Sequence, residues 1–168
     1  MRLFILLLLF YTISFSHPHT FIEVKPIVEI NDSKINKMRI NWVLDEMTSM
    51  LLIMELDTNG NGKFEEDENA FIYENYFLSL SKYDFYMQIL NNKKKLSFFP
   101  QNFQASIKNG KLIYAFDINK TLEIKELKIS FFDKELFVGM MIDKEYITIE
   151  GIDSKEVNQL KKQIFGVK

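Results

Sequence analysis

The densest set of metal-ligand side chains in this sequence lies in twelve residues, Asp57-Thr58-Asn59-Gly60-Asn61-Gly62-Lys63-Phe64-Glu65-Glu66-Asp67-Glu68. Side-chain oxygens stand at the first, third, fifth, ninth and twelfth positions, as Asp57, Asn59, Asn61, Glu65 and Glu68. Gly62 holds the sixth, where an EF-hand loop turns sharply and needs backbone freedom. Lys63 offers its backbone carbonyl at the seventh, and Glu68 closes the ring with both carboxylate oxygens. A hard cation such as Ca2+ takes roughly six to eight oxygens, and this spacing can wrap a chain around one. Only Asp57, Glu65 and Glu68 bring charge, and no second loop of this type follows. The expected affinity is therefore weak, of the kind found in extracellular modules. The competing reading is a polar helix–helix turn that carries the pattern by chance.

A second set lies near the start. His17 and His19 are the only two histidines, and they flank Pro18. If the chain is cut after Ser16, His17 becomes the first residue and offers an α-amine and an imidazole to one metal, with His19 adding a second ring. Such donors suit nickel, cobalt, zinc or copper. Pro18 has no amide hydrogen, so chelation through a deprotonated backbone nitrogen is blocked there. The competing reading is a solvated terminus with no ligand.

Elements must position both sets. Ile22, Val24, Val28 and Ile30 alternate along one strand, and Met38, Ile40, Trp42 and Leu44 along another, with a turn at Asn31-Asp32-Ser33-Lys34. A four-residue loop makes paired positions sum to about 65, which sets His19 opposite Asp45 or Glu46. Asp45 is also a natural cap for the helix that follows. Met47, Met50, Leu51 and Met54 form an apolar stripe at helical spacing before the loop, as do Ala70, Tyr73, Phe77 and Leu80 after it. Thioethers can bind copper(I), but at helical spacing the methionines are read as core. Further strands are expected at Phe85–Leu90, Leu96–Phe99, Phe103–Lys108, Lys111–Ile118, Glu126–Phe132, Leu136–Ile142 and Glu145–Glu150, and a helix at Ser154–Phe165. Asn109-Gly110 marks a tight hairpin. The pairs Phe98-Phe99 and Phe131-Phe132 are read as core. The fold class is thus α+β: a mainly antiparallel β-sheet or sandwich domain with an EF-hand-like helix-loop-helix inserted at residues 45–82.

Composition limits the function classes. Met1-Arg2, the apolar run Leu3–Ile13 and Ser14-Phe15-Ser16 describe a secretory signal peptide over residues 1–16. Its removal leaves 152 of 168 residues, one domain at 17–168, with 20 basic and 23 acidic residues. That mild acidity argues against nucleic acid as a partner. No integral membrane segment is expected after cleavage, and the absence of cysteine excludes a disulfide framework. No Gly-rich phosphate loop or Cys nucleophile appears, so no enzyme activity and no catalytic residues are expected.

The mature start His17-Pro18-His19-Thr20-Phe21-Ile22, then Trp42-Val43-Leu44-Asp45-Glu46 with Ser49, then Leu56-Asp57-Thr58-Asn59-Gly60-Asn61-Gly62, together resemble one bacterial family. Tyr83-Asp84-Phe85, Phe132-Asp133 and Ile149-Glu150-Gly151 add to the likeness. The chain is similar to the domain-of-unknown-function 1007 family, often described as a periplasmic component of an uncharacterised ABC-type transport system. The resemblance implies a periplasmic location and an accessory role beside a nickel/cobalt permease or ABC-type transporter. With it, the expectation is an exported metal-binding protein whose calcium-type loop (Asp57, Asn59, Asn61, Lys63, Glu65, Glu68) is structural. His17, His19, Asp45 and Glu46 would hold the transition metal. The alternatives are a calcium-stabilised interaction module and a copper histidine-brace oxidase, which would need a distant second histidine that this chain lacks.

Overall fold

The computed structural model describes residues 20–167. The predicted signal peptide, His17 and His19 lie outside them. Strands β1 (Thr20–Asn31) and β2 (Lys34–Leu44) form a long antiparallel hairpin. Ile22, Val24, Val28 and Ile30 on one strand, and Met38, Ile40, Trp42 and Leu44 on the other, point into the core as the alternation predicts. The register differs by one. The turn has two residues, Asp32 and Ser33, at φ 49° and 60°, and a bulge between Glu29 and Ile30 inserts the extra residue. From there outward the pairs are Val28↔Met38, Val24↔Trp42 and Ile22↔Leu44.

The order after the hairpin is α1 (Glu46–Leu56), α2 (Glu66–Ile72), β3 (Met87–Asn91), β4 (Lys94–Leu96), β5 (Gln101–Lys108), β6 (Lys111–Ile118), β7 (Leu122–Glu123), β8 (Leu127–Phe131), β9 (Val138–Met141), β10 (Thr148–Glu150) and α3 (Ser154–Phe165). One sheet runs β10-β1-β2-β6-β5, with β7 on β2 and β9 on β1, and a smaller one runs β4-β3-β8. The protein is therefore α+β with mainly antiparallel sheets. Two pairings are parallel: β9 on Thr20–Glu23 and β10 on Ile27–Glu29. Pro26, which cannot donate to a ladder, falls in the gap between them. Among the described residues no helix is long and apolar enough to cross a membrane.

Helix α1 overturns one expectation. Met47, Met50, Leu51 and Met54 are 62%, 55%, 58% and 77% exposed, so the stripe read as core faces solvent. The buried side is Ser49, Leu52, Ile53 and Leu56, which has the same i, i+3, i+4, i+7 spacing shifted by two residues. The helix is apolar on both faces, and tertiary bonds choose between them. Ser49, fully buried, donates its Oγ to the Leu44 carbonyl at 3.1 Å and accepts from the Leu112 amide at 2.9 Å, pinning this face to β2 and β6. The Phe98-Phe99 reading also fails in half, since Phe99 is 53% exposed.

After α2 the chain continues through a π-helical turn, Tyr73–Phe77, and a 3-10 segment, Leu78–Tyr86. Phe77 is fully buried against rings from β2, β5 and β6, so this segment ties the insert to the large sheet.

Candidate metal site

The twelve-residue loop joins α1 to α2. Asp57 caps α1, its amide donating to the Ile53 carbonyl. Its carboxylate then turns into the loop, Oδ1 accepting from the Asn61 amide at 3.1 Å and Oδ2 from the Gly62 amide at 2.8 Å. Asn59 Oδ1 accepts from the Asn61 amide at 2.9 Å, and Asn61 Oδ1 from the Lys63 amide at 2.8 Å. Asn61 Nδ2 donates to Glu65 Oε1 at 3.0 Å. Gly60 and Gly62 supply the left-handed backbone this curl requires, at φ 68° and 78°.

Glu68 closes the loop from its far end. One carboxylate oxygen accepts from the Thr58 amide at 2.8 Å and the Thr58 hydroxyl at 2.7 Å, and the other from the Glu65 amide at 3.0 Å. Glu65 and Glu68 thereby form a capping box at the start of α2. The bond from the Glu65 amide, then that from the Thr58 hydroxyl, hold the Glu68 carboxyl below its usual range. A depressed acid contributes stability that is present above its unfolded value of 4.5 and is lost as pH falls through the folded value. Glu68→Gln is therefore expected to lower Tm by several degrees at neutral pH. The gap to wild type should close as pH drops below about 4.5 in a pH series of thermal melts.

Asp57, Asn59, Asn61 and Lys63 lie in the connection between α1 and α2, while Glu65 caps α2 and Glu68 stands in its first turn. Asp57, Asn59 and Asn61 each use a side-chain oxygen to accept a backbone amide, which leaves further lone pairs on those oxygens. In donor type and sequence the loop fits a hard cation. Its three carboxylates do not by themselves gather: among the described residues no three His, Cys, Asp or Glu side chains form a group that could hold a metal. Amide and carbonyl oxygens would have to complete the shell, as the chemistry of such loops requires.

Asp45 sits at the other end of α1. Oδ1 accepts from the Thr48 amide at 3.0 Å, making Asp45 the helix cap. Oδ2 accepts from the Thr48 hydroxyl at 2.8 Å and from the Phe21 amide at 2.9 Å, and the Asp45 amide returns a bond to the Phe21 carbonyl. Partial burial acts to raise its pKa, but these bonds outweigh that and hold the carboxyl below the usual range. Glu46, the first residue of α1, is exposed. The chain enters at Thr20, whose hydroxyl lies 3.4 Å from that of Thr48. The acid half of the predicted histidine–carboxylate site is thus at the point where residue 20 joins the fold. A shallow concavity of about 300 Å³ opens there, lined by Phe21, Asp45, Glu46, Met47, Lys111 and Met141.

A cavity that spacing alone does not reveal lies elsewhere, about 170 Å³ in volume, between Tyr83, Asp84 and Tyr86 on one side and Phe132, Asp133 and Lys134 on the other. Two motifs far apart in sequence meet there because the Phe132 amide bonds the Tyr86 carbonyl at 2.9 Å. Burial acts to raise the Asp133 pKa, but the amides of Val138, Glu135 and Leu136 hold it low. Burial, with Asp133 nearby, pushes the Tyr86 phenol up to about 12.

Comparison with known proteins places these features in a family. An uncharacterised 15.5 kDa protein in the trpE 3′ region of Spirochaeta aurantia is 31% identical over 97 residues, covering 55% of this chain and 69% of that protein. An uncharacterised protein of Haemophilus influenzae is 27% identical over 135 residues, covering 74% of this chain and 62% of that one. No solved structure matches. The sequence profile described as protein of unknown function (DUF1007) matches residues 2–161, nearly the whole length, and the chain belongs to that family.

Proposed function

We propose that this is an exported, periplasmic metal-binding accessory protein that serves a membrane permease or ABC-type transporter. In this reading the Asp57–Glu68 loop takes Ca2+ and stiffens the helical insert. His17 and His19, set beside Asp45 and Glu46, capture a transition metal (Ni2+, Co2+, Zn2+ or Cu2+) as cargo. The observation that supports it is the loop's own bonding: Asp57, Asn59 and Asn61 turn side-chain oxygens onto the loop's own amides, and Gly60 and Gly62 take the left-handed backbone of the curl. The bond of the Phe21 amide to Asp45, and the approach of Thr20 to Thr48 in the same first turn of α1, support the second half.

Both halves are tested on protein with its native processed terminus, since a tag before His17 would occupy the α-amine. At an affinity of about 0.1–1 mM, about 10 mM Ca2+ adds roughly 1.4–2.7 kcal/mol. Tm should rise by roughly 3–11 °C, and Asp57→Asn should lose the shift. Calorimetric titration of each transition metal should show tight binding that His17→Ala/His19→Ala abolishes while Tm holds. No calcium shift sinks the structural half, and unchanged metal affinity in the double variant sinks the cargo half.

A further inference from the structure

Among the described residues the exposed face of α1 has no partner. Met47, Met50, Leu51 and Met54 present a contiguous apolar strip, with side chains 55–77% exposed, and Phe71 on α2 is 53% exposed. Such a strip exposes roughly a few hundred Å², comparable to the largest apolar patch on an ordinary monomer, which is often functional. Its composition adds information. Methionine is unbranched and polarizable, and it adapts to irregular apolar partners without a fixed shape.

Charge narrows the class of partner. Glu46 and Glu55, both exposed, lie about one helical step to either side of the strip. Between Asp45 and Tyr76 nine carboxylates face a single basic residue, Lys63, a formal charge of −8 in a chain whose total is −2. An anionic lipid surface is repelled by that rim. A helix with an apolar stripe and lysines or arginines beside it is attracted to it on both counts.

The geometry points to the α1 face as a docking surface for a basic amphipathic helix of another protein, held by Met47, Met50 and Met54 and oriented by Glu46 and Glu55. It does not depend on the loop or the terminus holding a metal.

The test uses the processed full chain and a fluorescent peptide of about 18 residues, built from leucine and lysine with the leucines on one helical face. Anisotropy at about physiological ionic strength should show saturable binding. Met47→Gln/Met50→Gln/Met54→Gln keeps the charge and, at exposed positions, the fold; it should weaken binding about tenfold or more. Met47→Leu/Met50→Leu/Met54→Leu should retain it. A glutamine variant that binds as tightly as wild type overturns the proposal, as does a leucine variant that loses binding equally. So does a leucine–glutamate peptide of the same pattern that binds as well as the lysine one. A dimer in sedimentation that the glutamine variant dissolves assigns the face to a second copy instead. Partition of wild type, but not of the glutamine variant, onto zwitterionic vesicles assigns it to a lipid surface.

Discussion

Gly151→Ala is expected to destabilise the protein by about 3–5 kcal/mol, or to prevent its accumulation. Gly151 follows β10 at φ 86°, a conformation that L side chains rarely adopt. That alone costs roughly 1–2 kcal/mol. The larger part is collision. A Cβ at Gly151 would stand 2.1 Å from the Ile30 carbonyl oxygen and 3.2 Å from its carbon. Those atoms belong to β1 beside the bulge, where Ile30 is paired to Ile35 of β2 and directly follows the last residue that β10 pairs, which leaves the strand little room to retreat. Gly110 provides the control. Its φ is 73°, but nothing lies within 4 Å of an added Cβ. Gly110→Ala should therefore show the conformational cost by itself, about 1–2 kcal/mol. Urea denaturation of both variants measures the difference. Equal midpoints would mean that β10 is not packed against the bulge as described.

The bulge also shows how far sequence reasoning reaches. Which residues of β1 and β2 face the core was legible, because alternation of apolar residues is a local property. The one-residue register shift was not, because it depends on a bulge that hydrophobic pattern does not encode. The Asn109-Gly110 turn and the span of α3 were legible from turn chemistry and helical periodicity. Strand β3 begins at Met87 rather than Phe85 because Asp84, Phe85 and Tyr86 hold φ of 53°, 49° and 50°. Three consecutive left-handed residues break every local preference, and only the surrounding packing can impose them. The parallel partners of β9 and β10 were hidden for the same reason, since they join residues more than a hundred positions apart.

The candidate site divides along the same line. The order of oxygens from Asp57 to Glu68 was readable because those residues are contiguous. The Asp45 cap was readable from its residue type at a strand–helix junction. Its bond to the Phe21 amide was not, because it joins residues on two different elements. The methionines of α1 misled because the helix carries two apolar faces, and spacing counts them equally.

Phe77→Ala tests whether the insert and the sheet are one cooperative unit. The ring is fully buried, with centroids 4.4 Å from Phe103, 5.1 Å from Phe85 and Phe116, and 6.0 Å from Trp42. These neighbours come from β5, β6, β2 and the segment leading into β3, so one side chain connects four parts of the chain. Truncation removes the ring and leaves a cavity whose walls, themselves rigid rings, cannot collapse into it. The expected cost is about 4–5 kcal/mol, near the upper end for such changes. For a domain of this size that lowers Tm by roughly 10–15 °C. Phe77→Leu, which refills much of the space, should recover more than half. If the insert is held to the sheet through this ring, fluorescence of the buried Trp42 and far-ultraviolet dichroism will report one coincident transition in wild type. A wild-type dichroism transition that precedes the fluorescence change would show the helices melting alone. In that case Phe77 contributes to the core of the sheet without making α1, the loop and α2 part of it.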